Sequence, residues 1–229
     1  MEKSCYIAYI SYLIEKWLYM GDVKEEILQR IDSGKRKHRF PVELEYLDSY
    51  LDPKYGSSGC AFFDREKNEV LAGFAGTNYR NGIIEGTKDM LTDAILLGVT
   101  GMGPQCEYLK EPQKFMDGLK AEGYGVNEVT GHSLGGALAA YIGIYNDISR
   151  VVTYNGAPLY LVSLGDKNEI DEYVKNYTGS IIRYVSSDDP LNNITAKTHG
   201  FYPGELRVIE ETTGHAMINF IRAFGESEF

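Results

Sequence analysis

The chain has 229 residues, a length that fits one α/β domain with a full hydrophobic core. Its formal net charge of −10 argues against a nucleic-acid-binding protein, because such proteins normally present a basic face. The three cysteines lie far apart in the sequence, which excludes a metal-type spacing, and their odd number does not make an even disulfide framework. Reduced, structural thiols in a cytosol-like compartment are therefore expected.

The first twenty residues predict a helix that does not span a membrane. Residues 5–20 are rich in Tyr, Ile and Leu, but Glu15 and Lys16 interrupt them. The segment is too short and polar to cross a bilayer, and it lacks the basic start and small-residue cleavage site of a signal peptide. We expect an amphipathic helix packed on the domain of a cytoplasmic protein. An interfacial helix resting on a membrane, and export without a cleaved signal, are the alternatives.

A second helix is predicted over 23–31, where apolar residues recur at helical spacing, and 42–50 fits a third, shorter one. A Gly- and Ser-rich loop follows at 56–59, and the character of the sequence then changes. The sequence therefore predicts a single domain, in which 1–55 form a helical N-terminal extension and 56–229 form the core.

Strand and helix patterns alternate through this core, after a hairpin formed by 60–63 and 69–75. Such alternation predicts an α/β fold with a mainly parallel central sheet covered by helices. The predicted elements are helices over 111–122, 134–145 and 216–224, and strands over 126–130, 151–154 and 181–186.

The sequence Gly-His-Ser-Leu-Gly at 131–135 has the Gly-x-Ser-x-Gly form of a nucleophile elbow. In an elbow, a sharp turn from strand to helix holds the serine hydroxyl clear of the backbone. Gly131 and Gly135 suit that turn because a larger side chain on either flank would collide across it. The helix that begins near Leu134 directs its free N–H groups toward Ser133, where an oxyanion would form. These residues predict a serine hydrolase.

A serine hydroxyl needs a base to take its proton and a third group to orient that base. Four histidines are available. His38 precedes the sheet, and His132 adjoins Ser133, where it is expected to pack under the elbow. Of the remaining two, His199 lies in a polar loop, whereas His215 directly precedes the last predicted helix. We favour His215, because that helix would anchor its ring.

The acid is expected to follow a strand, and both Asp188 and Asp189 follow the strand over 181–186. Alternation along the strand directs the two side chains to opposite sides, so only one can face the histidine. Pro190 restricts the backbone of Asp189 and steadies its direction. The alternative is that either aspartate only caps the turn at Pro190.

These motifs resemble those of the class 3 (fungal-type) lipases and related bacterial lipase-like proteins of the α/β-hydrolase fold. The resemblance covers about 59–220 and includes the elbow, an oxyanion strand and an acid-bearing segment in the family's order. Alignment on Arg183 puts the acid at Asp189. The matching segments are Gly131-His132-Ser133-Leu134-Gly135-Gly136, Phe74-Ala75-Gly76-Thr77, Asp93, Tyr154-Asn155-Gly156-Ala157-Pro158 and 183–191.

The resemblance implies a Ser133, Asp189 and His215 triad that hydrolyses carboxylic esters of lipids or other acyl esters through an acyl-enzyme. It also implies an oxyanion hole made by the backbone N–H groups of Leu134 and Thr77. No metal or organic cofactor is needed for this chemistry.

Two departures from the family remove no catalytic group. Ala75 stands where the family has arginine, and the spacing from Asp189 to His215 is shorter than in the fungal lipases. Residues 95–104 occupy the place of the family's lid, where their apolar side chains would contact an acyl chain or, transiently, a membrane surface. The same side chains fit a buried core equally well.

Two other functions fit the same sequence. One is a short-chain soluble esterase or thioesterase. The other is a catalytically idle hydrolase fold used for binding, against which the intact Ser133, Asp189 and His215 set argues.

Overall fold

A seven-stranded sheet forms the centre of the molecule. The structure is a computed structural model that describes residues 3–76, 107–161, 170–197 and 199–224. The strands are β1 (Leu44–Asp52), β2 (Ser57–Asp64), β3 (Glu69–Phe74), β4 (Val126–His132), β5 (Arg150–Tyr154), β6 (Tyr160–Leu161), β7 (Ser180–Ser186), β8 (Gly200–Phe201) and β9 (Glu205–Ile209). The α-helices are α1 (Lys3–Tyr19), α2 (Lys24–Arg36), α3 (Lys110–Ala121), α4 (Leu134–Tyr145), α5 (Ile170–Asn176), α6 (Pro190–Lys197) and α7 (Met217–Phe224).

The strand order is β1-β2-β3-β4-β5-β7-β9. The first three strands pair antiparallel, and the pairs from β3 to β9 are all parallel. The carboxyl ends of β4, β5 and β7 therefore meet at one edge of the sheet, which is where parallel α/β sheets bind ligands. The predicted mainly parallel sheet is confirmed. A separate two-stranded sheet joins β6 and β8.

Helices cover both faces of the sheet. On β5, the side chain of Val151 joins a core cluster with α3 and α4, whereas that of its neighbour Val152 joins a cluster with α1 and α7. Because neighbouring side chains on a strand point to opposite faces, the two clusters lie on opposite sides of the sheet. The fold thus has three layers.

The helix α1 lies directly on the sheet. Ile7 and Ile14 are buried with β2, and the Ser4 hydroxyl is 2.9 Å from the Tyr154 hydroxyl on β5. The helix approaches β3 closely, since a Cβ at Gly73 would lie 2.5 Å from Ile7. The predicted packed amphipathic helix is confirmed. Among the described residues, no helix is long and apolar enough to cross a membrane.

The prediction of a third helix over 42–50 is wrong, because the chain forms strand β1 there. Leu44 and Leu47 have helical spacing, but Leu44 and Tyr46 alternate into the core, and β2 supplies an antiparallel partner. The predicted loop at 56–59 is also mostly wrong, because β2 begins at Ser57. The division of the chain into 1–55 and 56–229 stays a prediction. The first part is not entirely helical, because it contains strand β1.

Candidate active site

Ser133 occupies the turn between β4 and α4. Its φ of 57° and ψ of −126° are rare for a residue with a side chain, and such strain is typical of functional turns. Two backbone hydrogen bonds hold the turn: the Ser133 N–H donates to the Tyr154 carbonyl at 3.2 Å, and the Ser133 carbonyl accepts from the Ala157 N–H at 2.9 Å. The predicted elbow is confirmed.

The two flanking glycines allow this turn because neither site has room for a side chain. A Cβ at Gly131 would collide with the backbone of Gly135, and a Cβ at Gly135 would collide with the carbonyl of Phe74 and lie 2.6 Å from the carbonyl carbon of Ala75. The helix α4 can therefore begin directly against the end of β3. Leu134 is its first residue, so the Leu134 N–H belongs to the helix turn that has no intrahelical acceptors.

The structure brings Ser133, His215 and Asp189 together. His215 Nε2 is 2.8 Å from Ser133 Oγ, and His215 Nδ1 is 2.5 Å from Asp189 Oδ1. The carboxylate accepts from the Nδ1–H group, which leaves Nε2 to accept the serine proton. Ser133 is 2% exposed, His215 8% and Asp189 1%. In this shielded position, electrostatic interactions are stronger than in water.

Asp189 also caps helix α6, which begins at Pro190. Its second carboxylate oxygen, Oδ2, accepts a hydrogen bond from the Asn192 N–H at 2.8 Å. Aspartate before a helix and proline at its first position are typical of a helix start. The capping and the contact with His215 use different oxygens, so the helix fixes the carboxylate in the direction of the histidine.

Asp188 contacts the histidine loop at a different atom. Its Oδ1 accepts a hydrogen bond from the Gly214 N–H. Asp188 therefore binds the backbone of the residue before His215, whereas Asp189 binds the imidazole itself. As predicted from the alternation along the strand, only one of the two aspartates faces the histidine ring.

A buried asparagine fixes the same loop from the end of β5. Asn155 Nδ2 donates to the carbonyls of Gly214 at 3.1 Å and His215 at 3.2 Å, and Asn155 Oδ1 accepts from the Ser186 N–H at 2.8 Å. Asn155 is fully buried, and its φ is 42°, which asparagine tolerates better than most residues. Asn155 belongs to the 154–158 segment that resembles the family, but this role was not predicted for it. Its position directly after a buried strand was the available signal.

His132 packs under the elbow, as expected, and both of its ring nitrogens also make hydrogen bonds. Its Nε2 lies 2.5 Å from the His215 carbonyl, and its Nδ1 lies 2.8 Å from the Tyr12 hydroxyl. Burial, and secondarily the nearby His215, lowers the pKa of His132 to about 3. The ring is therefore neutral near pH 7.

The other candidate histidine is placed elsewhere. His199 is exposed, with a φ of 54°, in the turn before β8. Thr77, Asp93 and the predicted lid over 95–104 lie outside the described residues. In the part of the chain that the structure describes, no group of three or more His, Cys, Asp or Glu side chains is arranged to hold a metal ion.

No protein-family model matches the sequence, and no curated protein matches it. Solved lipase structures share its fold. Lip2 lipase from Yarrowia lipolytica has a TM-score of 0.61 and 18% identity, over 95% of this chain and 80% of the lipase. Lipase II from Rhizopus niveus has a TM-score of 0.54 and 17% identity, over 93% and 80% of the two chains. A triacylglycerol lipase whose catalytic centre is a serine protease triad has a TM-score of 0.54 and 17% identity, over 74% and 68%.

These similarities define the class of the fold. The chain has the α/β-hydrolase architecture seen in fungal lipases, which confirms the predicted resemblance to the class 3 lipases at the level of the fold. The arrangement of Ser133, His215 and Asp189 fits a Ser–His–Asp hydrolase.

Proposed function

We propose that this protein hydrolyses carboxylic esters of lipids or other acyl esters, with Ser133 as nucleophile, His215 as base and Asp189 as the orienting acid. The observation that carries the proposal is the continuous contact from Asp189 Oδ1 through His215 to Ser133 Oγ, at 2.5 and 2.8 Å. The strained backbone of Ser133 supports it, because residues held in rare conformations cluster at active sites.

The proposed reaction has two steps. Ser133 Oγ attacks the ester carbonyl carbon while its proton passes to His215 Nε2. The tetrahedral intermediate then expels the alkoxide, which leaves as the alcohol with that proton. A water molecule attacks the acyl-enzyme, again giving a proton to His215, and the acid product leaves as the proton returns to Ser133.

The oxyanion would be held by the Leu134 N–H at the start of α4 and by the Thr77 N–H. Each such donor is typically worth ~3 kcal/mol in the barrier. The proposed partner is the lipid or acyl-ester substrate, met in solution or during transient contact with a membrane surface. A lipid ester is favoured over a soluble short-chain ester by the family resemblance of the elbow, oxyanion and acid segments.

The test is labelling with a fluorophosphonate probe, followed by hydrolysis rates across p-nitrophenyl esters of increasing chain length. We expect the label on Ser133, located by mass spectrometry, and no label or hydrolysis in a folded Ser133→Ala variant. Rates that rise with chain length support a lipid substrate, whereas rates that peak at acetate or butyrate indicate a soluble esterase. A folded wild-type protein with neither labelling nor hydrolysis would be an idle hydrolase fold.

A further inference from the structure

A tyrosine of the N-terminal helix is linked to the candidate catalytic histidine through His132. The Tyr12 hydroxyl on α1 lies 2.8 Å from His132 Nδ1, and His132 Nε2 lies 2.5 Å from the His215 carbonyl. The rings also contact one another along this line. Tyr12 and His132 meet edge to face with centroids 5.8 Å apart, and His132 and His215 meet at a tilt with centroids 4.8 Å apart. A single chain of contacts therefore runs from α1 to the backbone of His215.

The direction of each hydrogen bond in this chain follows from chemistry. A carbonyl oxygen only accepts, so His132 Nε2 carries the hydrogen toward His215. Because the His132 ring is neutral, its Nδ1 then has a lone pair and no hydrogen, and the Tyr12 hydroxyl donates to it. The opposite tautomer would put two lone pairs against each other at Nε2 and the His215 carbonyl, 2.5 Å apart. By donating to the Nδ1 lone pair, the hydroxyl stabilises the tautomer that the His215 carbonyl requires.

The same hydroxyl lies against the end of the oxyanion strand. A Cβ at Gly76 would lie 2.5 Å from Tyr12 Oη and 2.9 Å from the His132 carbonyl. The backbone just beyond β3 therefore passes directly over the Tyr12 hydroxyl, at the side of the elbow that carries Ser133. The hydroxyl therefore lies close to two backbone segments beside Ser133, one at Gly76 and the other at His132.

We infer that Tyr12 is a positioning residue, which stabilises the Nε2–H tautomer of His132 and through it the backbone of His215. This inference rests on the proposed function of Ser133 and His215. It makes α1 a part of the catalytic framework, in addition to its role in the core. The described hydrogen bonds of the Tyr12 hydroxyl are with His132, at Nδ1 and, over 3.3 Å, at the backbone carbonyl.

The test removes one oxygen atom from the chain of contacts. Tyr12→Phe keeps the ring and its packing, and Tyr6→Phe removes a hydroxyl from the same helix, away from the site, as the matched control. We expect Tyr12→Phe to lower kcat on a short p-nitrophenyl ester about tenfold with little change in KM, and Tyr6→Phe to change neither. Both variants are compared at a temperature at which circular dichroism shows them folded.

A double-mutant cycle shows whether Tyr12 acts through His132. In a His132→Leu background, Tyr12→Phe should lower kcat no further, because the intermediate ring is gone. Equal losses with and without His132 would overturn the inference, as would a Tyr12→Phe protein with wild-type kcat.

A spectroscopic measurement separates this inference from the proposed function. In protein labelled with ¹⁵N-histidine, NMR shifts of the ring nitrogens report the tautomer without any turnover. We expect His132 in the Nε2–H form in the wild type and a mixture of forms in Tyr12→Phe. Loss of hydrolysis in the wild type would refute the proposed function alone, whereas an unchanged His132 tautomer in Tyr12→Phe refutes the role of Tyr12.

Discussion

The side-chain amide of Asn155 donates a hydrogen bond to the backbone carbonyl of His215, over 3.2 Å and across 60 residues of sequence. The same carbonyl accepts from His132 Nε2 at 2.5 Å. Two strands, β4 and β5, thus hold the loop of the candidate base through side chains at their carboxyl ends. The position of the imidazole therefore depends on side chains that hydrogen-bond to its backbone carbonyl.

Loss of the Asn155 side chain should lower both stability and turnover. Asn155→Ala leaves the buried Ser186 N–H without its acceptor and forces alanine into a φ of 42°, so we expect a loss of about 2–4 kcal/mol in the free energy of unfolding. Turnover should fall at least about tenfold as the His215 loop loosens. Urea unfolding and kcat measure the two effects.

Asn146→Ala is the control for this substitution, because Asn146 also bonds a backbone carbonyl, that of Ile142, but at the far end of α4. It should keep wild-type kcat. Asn155→Gly, which removes the same side chain but accepts the positive φ, should be more stable than Asn155→Ala by about 1 kcal/mol. Wild-type turnover in Asn155→Ala would show that His215 is held without this contact.

The two histidine candidates can be separated by kinetics. His215→Ala should lower kcat by at least ~10³, as expected for loss of the base of a triad. His199→Ala should cost less than ~10-fold, since the side chain is exposed in a turn before β8. Ester hydrolysis by the two purified variants decides between them, and reversed losses would move the base to His199.

The two adjacent aspartates should respond differently to the same substitution. Asp189→Asn keeps a good helix cap for α6, so the melting temperature should stay near that of the wild type. Turnover should fall by ~10³ or more, because the amide favours the wrong tautomer of His215. Asp188→Asn should have nearly full turnover and a modestly lower melting temperature. An active Asp189→Asn enzyme beside an inactive Asp188→Asn one contradicts the assignment.

Acid should destabilise the protein partly through His132. Its pKa is lowered from 6.5 to about 3 in the folded state, so the unfolded chain binds the extra proton as pH falls. This contribution is complete above about pH 6.5 and is lost progressively down to about pH 3. Between pH 6 and pH 4, His132→Gln should reduce the slope of unfolding free energy against pH by about 1.4 kcal/mol per unit. Parallel slopes would show that His132 is protonated in the folded protein.

Local patterns predicted most of the core. Residues 134–145 are predicted as a helix and form one with the same bounds, because the elbow glycines fix its start and small apolar residues fill it. The strands β4, β5 and β7 were predicted within two residues of each end, since buried parallel strands have continuous apolar runs. The proximity of Ser133, His215 and Asp189 could be predicted because Ser133 and Asp189 follow two of these strands and His215 precedes the last helix.

Features that depend on contacts between distant segments could not be predicted from local sequence patterns. The strand β1 has helical apolar spacing, and only pairing with β2 decides its conformation. The helix α6 was missed, although Asp189 and Pro190 form a typical helix start, because 190–197 are largely polar. The roles of Tyr12 and Asn155 depend on partners 120 and 60 residues away, which no local pattern reports.

The burial of α1 across the sheet also has a consequence for how the chain is made. Ser4 meets Tyr154 over 150 residues, and the Thr130 hydroxyl donates to the Ser4 carbonyl over 126. During synthesis, the apolar face of α1 leaves the ribosome long before β4 and β5 exist to cover it. Contacts between residues so far apart in sequence form slowly, and apolar surface that stays exposed until they form is prone to aggregation. Nascent α1 is therefore a segment on which chaperones that bind exposed apolar chain would act until β5 is complete.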